Sequence, residues 1–252
     1  MERKPERQRP RCSVILLAGG SGKRMGTEQP KQYLEIAGRP MIWYSLRALE
    51  RSAVVDDCIL VVPEGDIDYA KEKIVQAGQF SKALAVVAGG RERYESVWRG
   101  IRALTEREPE EASRIVMIHD GARPCLTEEI LERCFYGALE YGACTAAVPS
   151  KDTITLSDGE GFEADTPDRK YVWNVQTPQA FRREILLSAF ERMAAELETD
   201  SREKLSWITD DVSVVRRYGG ARIRLVQGDY RNIKVTTIED LRIAESFLKG
   251  GF

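Results

Sequence analysis

The chain takes turns between short apolar runs and longer amphipathic ones. Val14 to Leu17, Cys58 to Val62, Leu84 to Val87, Ile115 to Ile118 and Thr145 to Val148 are brief and largely apolar. Runs of that length without polar alternation read as strands buried on both faces of a parallel sheet. Between them apolar residues recur at helical spacing: Met41, Ile42, Ser45/Leu46 and Leu49 after Pro40, then Ile67 to Ala77, then Val97, Ile101 and Leu104, then Glu128 to Tyr141. This alternation predicts an α/β domain with a mostly parallel sheet covered by helices.

After Val148 the pattern changes. Ser150 to Glu163 reads as a strand and a polar glycine turn, and Tyr171 to Val175 as its returning strand, so 150–175 is expected to form an extended β-arm inserted in the fold. An exposed hairpin is marginal alone and gains by pairing with a second copy. A homodimer follows, with Thr153, Asp168 and Arg169 on an arm that reaches a neighbouring site. Phe181 to Leu197 then reads as a helix and Glu198 to Ser206 as a charged link. Thr209-Asp-Asp reads as a capped helix start, Arg222 to Val226 and Asn232 to Thr237 as strands, and Glu239 to Leu248 as a last helix. Lys234 points away from the face shared by Ile233 and Val235, which suits an ordinary exposed residue and a site residue alike.

Composition bounds the partners. The 252 residues carry 38 basic and 40 acidic side chains, a net charge of −2, so no global field favours nucleic acid or an anionic membrane. Small molecules or copies of the chain are the expected partners. Residues 1–11 hold Arg3, Lys4, Arg7, Arg9 and Arg11 with little that is apolar, and read as a disordered basic tail, with an anchoring arm as the alternative. That leaves 12–252 as a single domain. No apolar run approaches a membrane span. The five cysteines are odd in number, form no Cys-x-x-Cys pair and lie in or beside apolar runs, which suits buried thiols in a reducing, cytoplasmic setting.

Chemistry concentrates where the first strand ends. Gly19, Gly20 and Gly22 permit backbone N–H groups to face an anion closely, and Lys23, Arg24 and Lys31 add positive charge. The dinucleotide fingerprint fails, because Met25 stands at its third glycine and no strand with a terminal acid follows at the required distance. The P-loop fails too: Gly22-Lys23 is followed by Arg24, not by a hydroxyl residue. A polyphosphate remains the natural ligand. A second glycine loop, Gly89-Gly90, leads to Arg93 and Ser96, donors one helical turn apart or simply a solvated helix start. The fourth strand ends at His119-Asp-Gly-Ala-Arg-Pro124, on the same rim of the sheet. There Asp120 is a candidate for magnesium and Arg123 for a second anion, or the two pair with each other. His119, the only histidine, reads as a supporting or core residue before a general base.

The motifs come in a telling order. Ala18-Gly-Gly-x-Gly-Lys-Arg-Met, Pro30-Lys-Gln-Tyr33, Gly89-Gly-x-x-Arg-x-x-Ser-Val97, His119-Asp-Gly-Ala-Arg-Pro124, Lys151-Asp-Thr153, Asp168-Arg169, Gln176-Thr-Pro-Gln179 and Asn232-Ile-Lys-Val-Thr236 together resemble the 2-C-methyl-D-erythritol 4-phosphate cytidylyltransferases of the non-mevalonate isoprenoid pathway. The resemblance spans nearly the whole chain after the tail. It implies a GT-A-like (Rossmann-like) nucleotidyltransferase fold, a homodimer with interlocked arms, magnesium as cofactor, and CTP and a polyol phosphate as substrates, giving the CDP-alcohol and pyrophosphate. By matching positions it implies that Arg24, Lys31 and Lys234 surround the reacting phosphates. Ala18, Gly19, Gly90 and Ser96 would hold CTP, with Gly20, Gly22, Arg93 and Asp120 on the nucleotide side. Arg123, Thr153, Arg169 and Thr177 would serve the sugar phosphate, Thr153 and Arg169 being donated across the dimer. Leu17-Ala-Gly-Gly departs from the usual Pro-Ala-Ala-Gly and is similar to sister enzymes that use ribitol 5-phosphate, and Arg91 stands where an acid can occur. Lys151-Asp-Thr-Ile and His119-Asp-Gly-Ala-Arg look more like the methylerythritol enzymes.

That chemistry suits these residues on physical grounds. A phosphate monoester, with a second pKa of about 6, is already largely dianionic at neutral pH and needs no general base. The obstacle is repulsion between a dianion and a triphosphate, which cations placed where charge develops relieve. A non-catalytic CTP sensor would not need Thr153, Arg169 and Lys234 together, and a dinucleotide-dependent oxidoreductase conflicts with the glycine spacing.

Overall fold

The computed structural model describes residues 9–20, 29–107, 114–199 and 207–250. A seven-stranded sheet runs through it, built from β1 (Arg11–Leu17), β4 (Asp57–Val62), β5 (Ala83–Ala88), β6 (Arg114–Asp120), β7 (Ala143–Pro149), β10 (Trp173–Arg182) and β11 (Arg224–Gln227), in the order β11-β7-β10-β6-β1-β4-β5. Two small ribbons stand apart: β2 (Glu35–Ile36) with β3 (Arg39–Pro40), and β8 (Leu156–Ser157) with β9 (Glu163–Asp165). Every strand of the main sheet is parallel to the rest except β10, which lies antiparallel between β6 and β7. From β1 the chain builds outward through β4 to β5, then returns to lay β6 on the other side of β1. The C-terminal ends of β1 and β6 therefore flank a topological switch point, where open α/β sheets form their crevice.

The unbroken apolar runs follow from burial on both faces. Along β1, Cys12, Val14 and Leu16 face one layer with α1 (Met41–Arg51) and α4 (Glu128–Tyr141), while Ile15 faces the other. That second layer contains Val97, Ile101 and Leu104 of α3 (Arg93–Arg107) and Leu186 and Phe190 of α5 (Arg183–Thr199). The buried residues of α1 are Met41, Ile42, Ser45, Leu46 and Leu49, the set its spacing predicts. A third cluster packs Val235 and Ala122 against Ala244 of α7 (Ile238–Lys249), which ties the loop after β11 to the loop after β6.

Four expectations are corrected. The Tyr171–Val175 strand does not return along the arm; β10 carries the chain into the main sheet, pairing Asn174 with Val148 and Phe181 with Val116. Its bulge between Val175 and Gln179, with a cis Thr177–Pro178 bond, is where a central strand tolerates proline. The following helix consequently starts at Arg183, because Phe181 is buried as a sheet residue. Asn232 to Thr237 is not a strand: the Val235 N–H reaches the Ala122 carbonyl of the neighbouring loop without forming a ladder, while Asp240 holds Thr236 and Thr237 at the start of α7. The helix expected from Ile67 does form, as α2 (Ile67–Tyr69) continued by a π-helix over Ala70–Gln76. Finally, order begins before residue 12, since Arg9 forks onto Asp56 at 2.9 Å and Arg11 opens β1; the rest of the basic tail, residues 1–8, lies outside the described residues. The β8–β9 hairpin does project, and residues 151–165 are exposed throughout. All five cysteines are free and buried. Among the described residues no helix is long and apolar enough to cross a membrane.

Candidate active site

The loops that leave β1, β5, β6 and β11 meet over the switch point. They enclose a cleft of about 340 Å³, in the size range of small-molecule sites. Its lining includes Ala18, Gly19, Gly20, Lys31, Gly90, Arg93, Ser96, Asp120 and Lys234. Residues far apart in sequence thus reach one space, because each follows a parallel strand ending on the same rim.

The two glycine loops are shaped by what crowds them. A Cβ on Gly90 would sit 2.3 Å from Cβ of Glu95, so the loop after β5 tolerates no side chain there. This lets the Gly90 N–H donate to Ser96 Oγ at 3.0 Å, while that hydroxyl donates to the Glu92 carbonyl at 3.2 Å. On the other side, the Lys31 stem crosses Gly20, with Cε 3.0 Å from where a Cβ would be. Pro30, at φ −56°, starts the 3-10 turn that carries Lys31. Gly22 and Arg24 lie outside the described residues.

Asp120 is the electrostatic centre. Its Oδ1 accepts from Arg93 Nη2 at 3.2 Å and its Oδ2 from Lys234 Nζ at 2.7 Å. Burial opposes its charge, yet Arg93 and Lys234 overcome that and hold the carboxyl well below the usual carboxylate range. Arg93 is no solvated helix start: its Nη1 and Nη2 also grip Asp211, both at 2.7 Å. Burial pushes the Asp211 carboxyl up while Arg93 pulls it back. Lys234 lines the cleft and pairs with Asp120, while Val235 is buried in the core. Asp120 and Arg123 do not pair with each other by side chain; Arg123 Nη1 donates instead to the Asn232 carbonyl at 2.7 Å.

Beneath Asp120 lies a polar relay. The Asp120 N–H donates to Thr177 Oγ1 at 3.1 Å, and Thr177 meets His119 Nδ1 at 3.0 Å. His119 Nε2 lies 3.3 Å from the Arg123 carbonyl, which only accepts. The proton therefore sits on Nε2, and Thr177 donates to Nδ1. Thr177, a candidate for the substrate, is buried under the cleft with its hydroxyl spent on this relay.

Burial lowers the His119 pKa from 6.5 to about 4. Below pH 6.5 the unfolded chain takes up a proton that the folded one refuses, so the stability this neutral histidine contributes is lost as pH falls toward 4. The expected loss over that window is about 3 kcal/mol, read from urea denaturation as a function of pH, and His119→Gln should flatten the curve there. An unchanged curve in the variant would contradict the buried neutral tautomer.

Thr153 and Arg169 are not brought to this cleft within one chain. They sit exposed on the arm, where Arg169 Nη1 reaches the Lys151 carbonyl at 3.3 Å. Two residues escaped the sequence reading. Asp211, read with Asp210 as a helix cap, is 1% exposed and belongs to the Arg93 cluster, whereas Asp210 does cap α6 (Asp211–Val214). Gln179 sits behind it, with Oε1 accepting from the Asp211 and Val212 N–H groups at 3.0 Å and Nε2 donating to Asp210 at 2.8 Å. An arginine and a second acid left over after capping were the only available signal.

The chain also has relatives among known proteins. The family model described as 2-C-methyl-D-erythritol 4-phosphate cytidylyltransferase matches residues 12–250. The protein of that name from Lachnospira eligens is 44% identical over 238 residues, covering 94% of this chain and 99% of its own length. Its namesake from Syntrophus aciditrophicus is 40% identical, with 96% and 97% covered. The crystal structure of 4-diphosphocytidyl-2C-methyl-D-erythritol synthase from Anaerococcus prevotii superposes with a TM-score of 0.79 at 30% identity, covering 95% of this chain and 99% of that one.

Proposed function

From the premise that the chain belongs to the 2-C-methyl-D-erythritol 4-phosphate cytidylyltransferase family, we propose that its cleft transfers CMP from CTP to 2-C-methyl-D-erythritol 4-phosphate, releasing pyrophosphate. The observation that carries this is the convergence of two glycine loops, Lys31, Lys234, Arg93 and Asp120 on one rim of the sheet. The namesakes reported above do not favour the ribitol enzyme suggested by Leu17-Ala-Gly-Gly.

The polyol phosphate is its own nucleophile, so the chain's task is to gather anions and stabilise charge as it moves. Ala18, Gly19, Gly90 and Ser96 hold the cytidine end, and Gly20, together with Gly22 by its match to the family motif, serves the triphosphate. Arg24 and Lys31 stabilise the α-phosphoryl group as the bond to the new oxygen forms and that to pyrophosphate breaks. Lys234, held by Asp120 in the resting cleft, exchanges its partner for the incoming phosphates. Arg123 takes the sugar phosphate, and Thr177 acts from below by fixing Asp120.

Magnesium fits this donor set. Asp120 is the buried carboxylate on the cleft wall, with no group of three ligating side chains among the described residues, and Mg²⁺ is commonly held by one or two carboxylates plus substrate phosphates. When bound, the ion would neutralise phosphate charge and act as a Lewis acid. Transfer of α-phosphate label from CTP into the phosphoanhydride of the CDP-polyol, with β and γ label leaving as pyrophosphate, tests the reaction. Label released as free CMP would contradict it.

The arm completes the reading. Leu156, Phe162 and Tyr171 are 52%, 70% and 75% exposed, an apolar surface that a second copy would cover while bringing Thr153 and Arg169 to its site. Mixing and reassorting inactive Lys31→Ala and Arg169→Ala proteins should then restore about a quarter of wild-type activity, since mixed dimers form one intact site. No recovery despite demonstrated exchange would place Arg169 in its own chain's site.

A further inference from the structure

Arg93 could satisfy Asp120 without help, so a second, fully buried carboxylate on the same guanidinium calls for a reason. Asp211 and Arg93 form a bidentate pair at 2.7 Å on both arms, shorter than the 3.2 Å and 3.4 Å contacts from Arg93 to Asp120. The fork therefore belongs to Asp211, and Asp120 receives the guanidinium's side. Asp211 is itself held by its surroundings: it opens α6, its N–H and that of Val212 donate to Gln179, and Gln179 lies in β10 one residue beyond Pro178.

We propose that Asp211 is a positioning residue for the cleft. It fixes the Arg93 fork away from Asp120, so that Asp120 keeps the freedom to serve Lys234 and the incoming nucleotide while still feeling the arginine's charge. Two carboxylates and two cations balance in this cluster. Without Asp211, the Arg93 fork closes on Asp120 and takes both its oxygens. Charge-assisted bidentate pairs are strong and directional enough for this choice of partner to matter.

This inference rests on the cytidylyl-transfer reading, and its test separates the two. Rates of pyrophosphate release are measured for wild type, Asp211→Asn, Arg93→Gln, the double variant and Arg93→Lys. Asp211→Asn is expected to lower kcat/KM for CTP about 30-fold, as for loss of a charged hydrogen-bonded partner, with the KM for the polyol phosphate moving less than about twofold. In the Arg93→Gln background the same substitution should add nothing, because Asp211 acts through Arg93. Arg93→Lys, which keeps charge but cannot bridge two carboxylates, should lose nearly as much as Arg93→Gln. A wild-type kcat/KM in Asp211→Asn, an equal further loss in the Arg93→Gln background, or a fully active Arg93→Lys would each overturn the proposal, and the last needs no Asp211 variant to fold. Wild-type protein that transfers nothing would sink the catalytic reading alone; the CTP affinity of the same proteins, by calorimetry, would then judge Asp211 by the same pattern.

Discussion

Lys31→Ala is expected to cut turnover about a hundredfold, a loss of about 3 kcal/mol of transition-state stabilisation, without unfolding the protein. Lys31 opens a short turn at the cleft wall and lays its stem across Gly20, where no side chain intervenes. It is only half-buried, so truncation opens no cavity in the three apolar clusters. The loss should fall on kcat, because charge on the α-phosphoryl group and its leaving pyrophosphate grows in the transition state. Steady-state rates with a parallel thermal melt check this; an unaltered kcat would remove Lys31 from the reaction.

The largest effect on stability is expected at the opposite end of the sheet. Asp57 and Arg114, each 1% exposed, form an ion pair at 3.0 Å near the N-terminal ends of β4 and β6. Ser13 of β1 bridges them, and Arg11 adds a second contact to Asp57 at 3.0 Å. Asp57→Ala removes the buried carboxylate that Ser13, Arg11 and Arg114 share, and breaking a buried ion pair from one side costs about 3 kcal/mol. For a chain of this length that lowers Tm by about 10 °C. Activity at low temperature should survive, since the pair is remote from the cleft rim. A Tm within about 2 °C of wild type would contradict the account. Replacing both residues by apolar ones should recover part of the loss, because it also removes the cost of burying the guanidinium.

The sequence made the sheet legible wherever strands were buried on both faces, because Val14 to Leu17 or Cys58 to Val62 leave no polar period for a helix to use. It misread β10 because the bulge between Val175 and Gln179 gives Pro178 a place in a central strand, a position proline normally cannot occupy. Phe181 was misassigned for a related reason: an apolar residue bordering a helix looks the same whether it packs under that helix or pairs in the sheet. In the site, Lys31, Asp120 and the glycine loops were legible because charge and glycine crowd together after strands. Asp211 was hidden behind a sufficient local explanation, the cap that its neighbour Asp210 provides. Partner choice among charged residues was hidden for a more general reason. Whether Asp120 meets Arg93, Lys234 or Arg123 depends on loop geometry set by β6 and β11, which no local pattern encodes.

The central claim is that this cleft joins CTP to methylerythritol phosphate. The most direct measurement is the initial rate of pyrophosphate release by the purified protein with CTP and Mg²⁺, offered 2-C-methyl-D-erythritol 4-phosphate or ribitol 5-phosphate. The account predicts release with the first and little with the second. Release with ribitol 5-phosphate alone would contradict the substrate, and tight CTP binding with no release from either would contradict catalysis itself.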